Sequence, residues 1–438
     1  MLHHARASTG PLTGRLRVPG DKSISHRAVL FAATAEGTSE LTGVLDSADV
    51  RSTLGAVETL GAHVAHERAA DGSLSASITG WGSAGPVSPI SPVECGNSGT
   101  TARLLMGVLA CWPVVATLVG DESLSRRPMG RVIDPLSAMG AEFTSRDGCL
   151  PVTVQGAVSP APLDYDSPVA SAQVKTAVLL AGLRADGRTV VREPAPSRDH
   201  TEIMLPHFGV AVGRDEASNA AWVQGPAALS ATGVAVPADP SSAAFLVVAA
   251  LIVPGSAVTL DDVALNPTRT GFLRVLHRMG ADIDVDVHEE AGAELTGTIV
   301  VRHTRALTAT VVTAEEFPSL VDEVPILAVA AARAAGVTRF EGVGELRVKE
   351  SDRLEAIRTA LEAMGVEVNV EGDTLEITGR PDAPLASASV DSLGDHRLAM
   401  AWSVAGLVSD DEIEVERFEA VDVSYPGFRD ALRLLGAG

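Results

Sequence analysis

The side chains best suited to chemistry stand in six short polar runs, each directly ahead of an apolar stretch rich in small residues. The first, in "VPGDKSISHRAVLFAA", gathers Lys22, Ser23, Ser25, His26 and Arg27 around one turn. The others are Gly96-Asn97-Ser98-Gly99-Thr100-Thr101, Ser171-Ala172-Gln173, Asp239-Pro240-Ser241-Ser242, Asp322-Glu323 and Asp395-His396-Arg397. A helix N-terminus carries unpaired N–H groups and a partial positive charge, so Ser, Thr, Asn and Asp are expected there as caps. Capping alone accounts for the run at Asp239. It does not account for Lys22 with Arg27, for Arg103, for Gln173, or for His396 with Arg397. A cation at that end opposes the helix dipole unless an anion lies between them. The pattern therefore predicts small-anion binding at helix N-termini, lining a common cleft if the runs share one fold.

Two further segments concentrate charge. "GDESLSRRPMGR" places Arg126, Arg127 and Arg131 about Pro128, and "ELRVKESDRLEAI" holds Lys349, Glu350, Asp352 and Arg353. Asp352 and Glu355 have capping-box spacing, and Lys349, Glu350 and Arg353 would share a face if helical. This segment reads either as a solvated, charged helix start or as a Lys–Glu pair tuned for proton transfer. Arg198 and His200 in "SRDHTEIM" leave the same choice open. Only Lys22, Lys175 and Lys349 of the 34 basic residues are lysine. Lysine and arginine differ in shape, hydration and ease of proton loss, so these positions are either ones that arginine cannot fill or survivors of an arginine-biased composition.

The elements that must position these groups repeat along the chain. "RVPGDKSISHRAVLFAATAEG" aligns without a gap with "AVPADPSSAAFLVVAALIVPG", and Arg51 matches Arg269 further on. A closing helix ends in glycine at 61, 140, 209, 280, 365 and 436, a period of roughly 70 to 85 residues. Runs such as "TSELTGV", "GRTVVREP" and "TLEITG" read as strands. The expected fold is mixed α/β with two domains, each of three β-α-β-α-β-β repeats. Residues 20–237 would form one domain; 1–19, with the strand "GRLRV", and 238–438 would form the other.

A chain of 438 residues suits two full cores, and 46% hydrophobic with 21% charged residues argues against disorder. The net charge of −22 speaks against general nucleic-acid binding. Cys95, Cys111 and Cys149 have no metal-like spacing and read as free thiols in a reducing cytoplasm. No signal peptide or membrane span is expected, and His3-His4 reads as an exposed tail. There is no Walker-type loop, H-E-x-x-H, paired Cys-x-x-Cys or G-x-S-x-G elbow, so no metal or cofactor is implied. Cofactor-free chemistry on strongly anionic small molecules is the physical reading.

The segments "PGDKSISHRAVLFAA", "GNSGTTARLL", "RRPMGR", "ASAQVKTAVLLAGL", "SRDHTE", "DEVPILAVAAA", "LRVKESDRL" and "GDHRLAM", in this order, resemble the 5-enolpyruvylshikimate-3-phosphate synthase family from about residue 10 to the end. The resemblance implies the two-domain enolpyruvyl transferase fold, an inside-out α/β barrel of six repeats. It implies transfer of the enolpyruvyl (1-carboxyvinyl) group from phosphoenolpyruvate to the 5-hydroxyl of shikimate 3-phosphate. Addition and elimination through a tetrahedral intermediate would release phosphate, on the way to chorismate and aromatic amino acids. Carried over by motif, Lys22, Ser23, Arg27, Ser171, Gln173, Arg198, Asp322 and Lys349 would bind shikimate 3-phosphate. Lys22, Gly99, Arg127, Gln173, Arg353 and Arg397 would bind phosphoenolpyruvate. Asp322, Glu350 and Lys22 would be catalytic, with closure of the two domains on substrate. The implied partners are those two substrates, with no nucleic acid, membrane, metal or cofactor, and the implied form is a cytoplasmic monomer.

Two positions depart from part of the family. Ala172 stands where some members have a second serine, and Val423 where some have a lysine. Both features resemble the branch less sensitive to glyphosate, whereas Gly99 lacks the methyl that would crowd that inhibitor; intermediate sensitivity is expected. The rival readings are UDP-N-acetylglucosamine enolpyruvyl transferase and a non-catalytic anion-binding homologue. The first typically carries a reactive cysteine and a Lys-Asn pair, but Lys22 is followed here by Ser23.

Overall fold

The computed structural model describes residues 1–288 and 294–437. The chain divides into two compact units. One contains residues 20–236 and also Glu294; the other contains residues 1–19, 237–288 and 295–437. Among the described residues no helix is long and apolar enough to cross a membrane.

Six helices open the repeats: α1 (Lys22–Thr34), α3 (Gly99–Ala110), α5 (Ala172–Gly182), α7 (Pro240–Ile252), α9 (Val324–Ala332) and α11 (His396–Gly406). Six others close them: α2 (Ala48–Thr59), α4 (Gly130–Ala138), α6 (His200–His207), α8 (Gly271–Arg278), α10 (Arg353–Ala363) and α12 (Phe428–Leu434). The opening helices are apolar on nearly every side, and every residue of α7, α9 and α11 is buried. A helix hydrophobic all round belongs in a core. In each unit these helices therefore lie inside, and four-stranded sheets lie outside them. The strands alternate accordingly, as in Thr38–Val44, which buries Ser39, Leu41 and Val44.

The six repeat glycines share one geometry. Each has positive φ, from 76° at Gly365 to 105° at Gly140, a region that costs other residues a Cβ clash. In each, the glycine N–H bonds three residues back and the next N–H five back, as in Gly61→Glu58, Ala62→Val57 and Gly280→His277, Ala281→Leu276. This is the Schellman termination, made six times.

Every four-stranded sheet follows one plan. The opening strand lies parallel to the second, which pairs antiparallel with the fourth, and the third is outermost. Repeats two, three and five build this from their own residues. The others use strands from elsewhere in the chain. Val234–Ala235 supplies the opening strand beside Thr38–Val44, and Thr13–Leu16 supplies the one beside Ala257–Ala264. The sixth repeat lacks its last two strands, and His3–Arg6 fills its sheet by pairing antiparallel with Glu412–Glu416. The segment expected as a tail is therefore a strand. His3 stacks on Phe418 with centroids 4.2 Å apart, and burial pushes its imidazole down to about 4. His4, Glu412 and Glu414 lie together on this sheet as a cross-strand cluster of one imidazole and two carboxylates.

Parallel opening and second strands bring two loops together at their C-terminal ends, just before the two helices of each repeat. In one unit the inner helices then pack closely enough that α3 presents Gly107 to the backbone of Ala177 in α5. A Cβ there would lie 2.4 Å from the Ala177 oxygen. Gly107→Ala must force α3 and α5 apart, whereas Gly280→Ala meets nothing nearer than 4.0 Å and suffers only its positive φ. Urea titration should show a loss of about 1–2 kcal/mol for Gly280→Ala and a clearly larger one for Gly107→Ala. Equal losses would contradict the helix contact described here.

Candidate active site

In the unit of residues 20–236, side-chain hydrogen bonds join five helices in a closed circuit. Lys22, the first residue of α1, reaches Asp49 of α2 at 3.4 Å. His26 Nδ1 lies 2.6 Å from Thr53 Oγ1, and Thr53 lies 2.7 Å from Thr101 of α3. Arg103 of α3 donates to Gln173 Oε1 of α5 at 3.0 Å, while Gln173 donates to Thr100 at 3.1 Å. Thr176 of α5 contacts Thr201 of α6 at 2.6 Å. Arg27 completes the circuit, donating to Thr176 at 2.9 Å, to Thr201 at 2.8 Å and to the Ser23 carbonyl at 3.1 Å. Burial pushes the Arg27 guanidinium down to about 10, so it stays a cation at neutral pH.

The caps sit on the same ends. Asp21 accepts from Ile24 N at 2.8 Å, Ser98 from Thr101 N at 3.1 Å and Ser171 from Val174 N at 3.4 Å. Gly99 is the first residue of α3, and a Cβ on it would come 2.7 Å from Arg103 Nη1, the atom that holds Gln173. Arg127 donates to Asn97 Oδ1 at 2.6 Å, tying its loop to the α3 cap. Arg198 is half-buried in the loop ahead of α6. His200 resolves to a buried residue 2.5 Å from Glu294. Lys175 is buried between Glu193 at 2.8 Å and Glu202 at 2.7 Å.

In the other unit a second cluster forms at the N-terminal ends of α9, α10 and α11. Arg353, with no exposed side-chain surface, contacts three carboxylates: Asp395 at 2.7 Å, Glu350 at 2.7 Å and Asp322 at 3.1 Å. Burial opposes its charge, but Glu350, Asp395 and Asp322 outweigh that and hold its pKa above the ordinary range. Arg397 donates to the Asp322 carbonyl at 3.2 Å and lies 3.4 Å from its carboxylate. Asp395 also caps α11, accepting from Arg397 N at 2.9 Å, so one buried carboxylate orients both arginines. Burial pushes the Glu323 carboxyl up against the pull of Arg397, and Glu323 accepts from Ser241 of α7. Arg269 donates to Asp239 and Ser241 at 3.1 and 2.9 Å. Its aligned partner Arg51 instead makes an exposed pair with Asp46 at 2.6 Å.

The segment of Lys349 differs from the helical reading. Lys349 ends a short 3-10 segment, Val343–Val348, and pairs with Glu345; Glu350 and Ser351 follow in a bend, and α10 begins only at Arg353. Asp352 caps α10 through Glu355 N at 3.0 Å, which explains why the helix starts there. Glu350 reaches Arg353 from the bend ahead of α10, whereas Lys349 pairs with Glu345. Ala172 is the first residue of α5, and Val423 ends the 3-10 segment Phe418–Val423. Sequence reasoning missed Thr53 and Glu193 and gave no role to Thr101, Ser197 or Glu202, because the sequence around a single Thr, Ser or Glu does not name the distant residue it will bond.

Two consequences are measurable. Asp395→Asn leaves Arg353 buried with weaker compensation and should cost about 3–5 kcal/mol by urea unfolding; a loss below about 1 kcal/mol would contradict the pairing. His26 is buried, and burial, with help from Lys22 and Arg27, lowers its pKa to about 3. The unfolded chain takes up that proton near pH 6.5 and the folded one does not, so stability falls as pH drops through this window. The His26 ring signals in NMR should stay those of neutral imidazole from pH 7 to about 4.5; a midpoint near 6.5 would contradict the burial.

Comparison with known proteins gives the family of the chain. The sequence profile described as EPSP synthase (3-phosphoshikimate 1-carboxyvinyltransferase) matches residues 7–432. The 3-phosphoshikimate 1-carboxyvinyltransferase of Rhodospirillum rubrum is 50% identical over 432 residues, spanning 98% of this chain and 95% of its own. That of Halorhodospira halophila is 48% identical, spanning 99% and 96%. A solved EPSP synthase from Acinetobacter baumannii superposes with a TM-score of 0.90 at 40% identity, covering all of this chain and 98% of its own. The chain belongs to the EPSP synthase (3-phosphoshikimate 1-carboxyvinyltransferase) family.

Proposed function

We propose that this chain transfers the enolpyruvyl group of phosphoenolpyruvate to the 5-hydroxyl of shikimate 3-phosphate and releases phosphate, a step of aromatic amino-acid biosynthesis. The observation that carries the reading is the cluster of Arg353 and Arg397 with Asp322 and Glu350, two cations bonded to two carboxylates at helix N-termini. Such a cluster can bind an anionic donor and move protons beside it.

The reaction needs both abilities. In the addition, a proton joins the methylene carbon of the donor, the 5-hydroxyl oxygen bonds to its central carbon, and the hydroxyl proton leaves. In the elimination, a proton leaves the new methyl group, the double bond re-forms and phosphate departs with the bonding electrons. We assign the hydroxyl proton to Asp322 and the carbon proton to Glu350. Positioned acid–base groups contribute about 10²- to 10⁴-fold each. Arg353, Arg397, Arg127, Lys22 and the Gly99 N–H take the donor's carboxylate and phosphate, for which arginine's paired donors are suited. As donor anions engage Arg353, Glu350 and Asp322 give up part of their pairing and become available for proton transfer. Ser23, Arg27, Ser171, Gln173 and Arg198, with Lys22, Asp322 and Lys349, hold shikimate 3-phosphate. No cofactor or metal is assigned a step.

The nucleotide-sugar rival has weak support. Cys111 ends α3 fully inside the unit, and burial pushes its thiol up to about 12; Cys95 is likewise pushed up to about 12. Neither can serve as a thiolate nucleophile near neutral pH. Three unpaired cysteines support a reducing cytoplasm, and a monomer suffices because one chain carries every assigned residue.

Phosphate release from phosphoenolpyruvate should require shikimate 3-phosphate and not occur with UDP-N-acetylglucosamine; the opposite preference would overturn the assignment. Glu350→Ala should still bind both substrates by calorimetry while kcat falls by about 10²-fold or more. Near-normal turnover would remove Glu350 from its role.

A further inference from the structure

Glu193 follows the strand Gly187–Arg192, and Ser171 follows the strand Asp164–Asp166, which runs parallel beside it with Asp166 opposite Arg192. The loops leaving the two strands meet on the Glu193 carboxylate. Its Oε1 accepts from the Ser171 N–H at 2.6 Å. Its Oε2 accepts from the Ser197 hydroxyl at 2.7 Å and from Lys175 Nζ at 2.8 Å. One carboxylate therefore ties the residue that caps α5 to the loop that carries Arg198. Resting on the reading above, Ser171 and Arg198 are two of the groups that hold shikimate 3-phosphate, and a helix-cap hydroxyl and a guanidinium suit its phosphate.

A bare carboxylate beside a phosphate site would repel the ligand, and Lys175 answers that difficulty. It lies in α5 with 4% of its surface exposed, between Glu193 and Glu202. Burial opposes its charge, yet Glu202 and Glu193 together hold its pKa above the ordinary value. Three compact ammonium donors fit between two carboxylates, where a planar guanidinium would need more room. This gives a physical reason for lysine at this position in an arginine-rich chain.

We propose that Glu193, neutralised by Lys175, is a positioning residue that holds Ser171 and the Ser197–Arg198 loop together to receive the phosphate of shikimate 3-phosphate. Glu202 supplies an internal comparison. It contacts Lys175 at 2.7 Å and is as buried as Glu193, but no hydrogen bond joins it to either serine loop among those described.

The test compares Glu193→Gln with Glu202→Gln in the full-length enzyme, using steady-state kinetics in each substrate. Glu193→Gln should raise KM for shikimate 3-phosphate about tenfold or more, with kcat and KM for phosphoenolpyruvate within about threefold. Glu202→Gln should leave all three within about threefold. Equal effects of the two variants, or an unchanged KM for shikimate 3-phosphate in folded Glu193→Gln, would overturn the proposal. Glu193→Asp keeps the charge but shortens the reach, and reads the same split if Glu193→Gln does not fold. Wild-type enzyme inert toward shikimate 3-phosphate would instead overturn the functional reading on which the proposal stands.

Discussion

A helix buried on every side can offer polar groups only at its ends, and that constraint organises this molecule. The inner helices of each unit are close-packed and apolar, so serines, lysine, arginines and carboxylates collect where the backbone N–H groups are unpaired. Parallel strand pairs feed the loops into those ends. The arrangement sets a field of N–H donors and cations at one end of each helix layer, and the charges that are buried there, such as Arg353 with Asp395 and Lys175 with Glu193 and Glu202, are paired. It also explains how a chain of net charge −22 can hold a site for anions. The acidic excess is spread over the chain, while the cations of the site are few and anchored.

Three of the cations are anchored by a carboxylate, while Arg27 and Arg127 are held by neutral oxygens. Asp395 fixes Arg353 by its side chain and Arg397 through the backbone; Asp49 faces Lys22; Glu193 faces Lys175. Buried ion pairs of this kind are weak contributors to net stability, because desolvation offsets much of their attraction. Their value here is geometric. A buried charge with several hydrogen bonds has few alternative rotamers, and a site for two phosphorylated ligands needs donors that do not collapse onto one another when it is empty. Arg353, held by three carboxylates, is the clearest case. In the proposed reaction it exchanges partners when the donor anion arrives, its charge already in place.

Much of this was legible in the sequence because it repeats. The glycines at 61, 140, 209, 280, 365 and 436 mark chain reversals that only a residue without Cβ makes cheaply, and all six adopt them. The apolar helices and their polar leaders could be read for the same reason. What could not be read depends on closure in space. Strands from residues 3–6, 13–16 and 234–235 complete sheets whose other members lie far away in sequence, and no local pattern names the partner. Lys349 and Glu350 each have helical spacing to Arg353, but the Asp352 cap starts the helix after them. Glu193, Glu202 and Thr53 look like ordinary strand-end and helix residues until the fold sets them against Lys175 and His26.

The central claim is that both phosphorylated ligands are held at the N-terminal ends of the inner helices. A crystal structure of the chain with shikimate 3-phosphate and phosphoenolpyruvate, or an inert analogue of the latter, addresses it most directly. The account predicts the shikimate phosphate within hydrogen-bonding distance of Ser171 at the start of α5, and the donor carboxylate on Arg353 and Arg397. Ligands seated on the outer sheets, or Ser171 and Arg397 both without ligand contact, would contradict it.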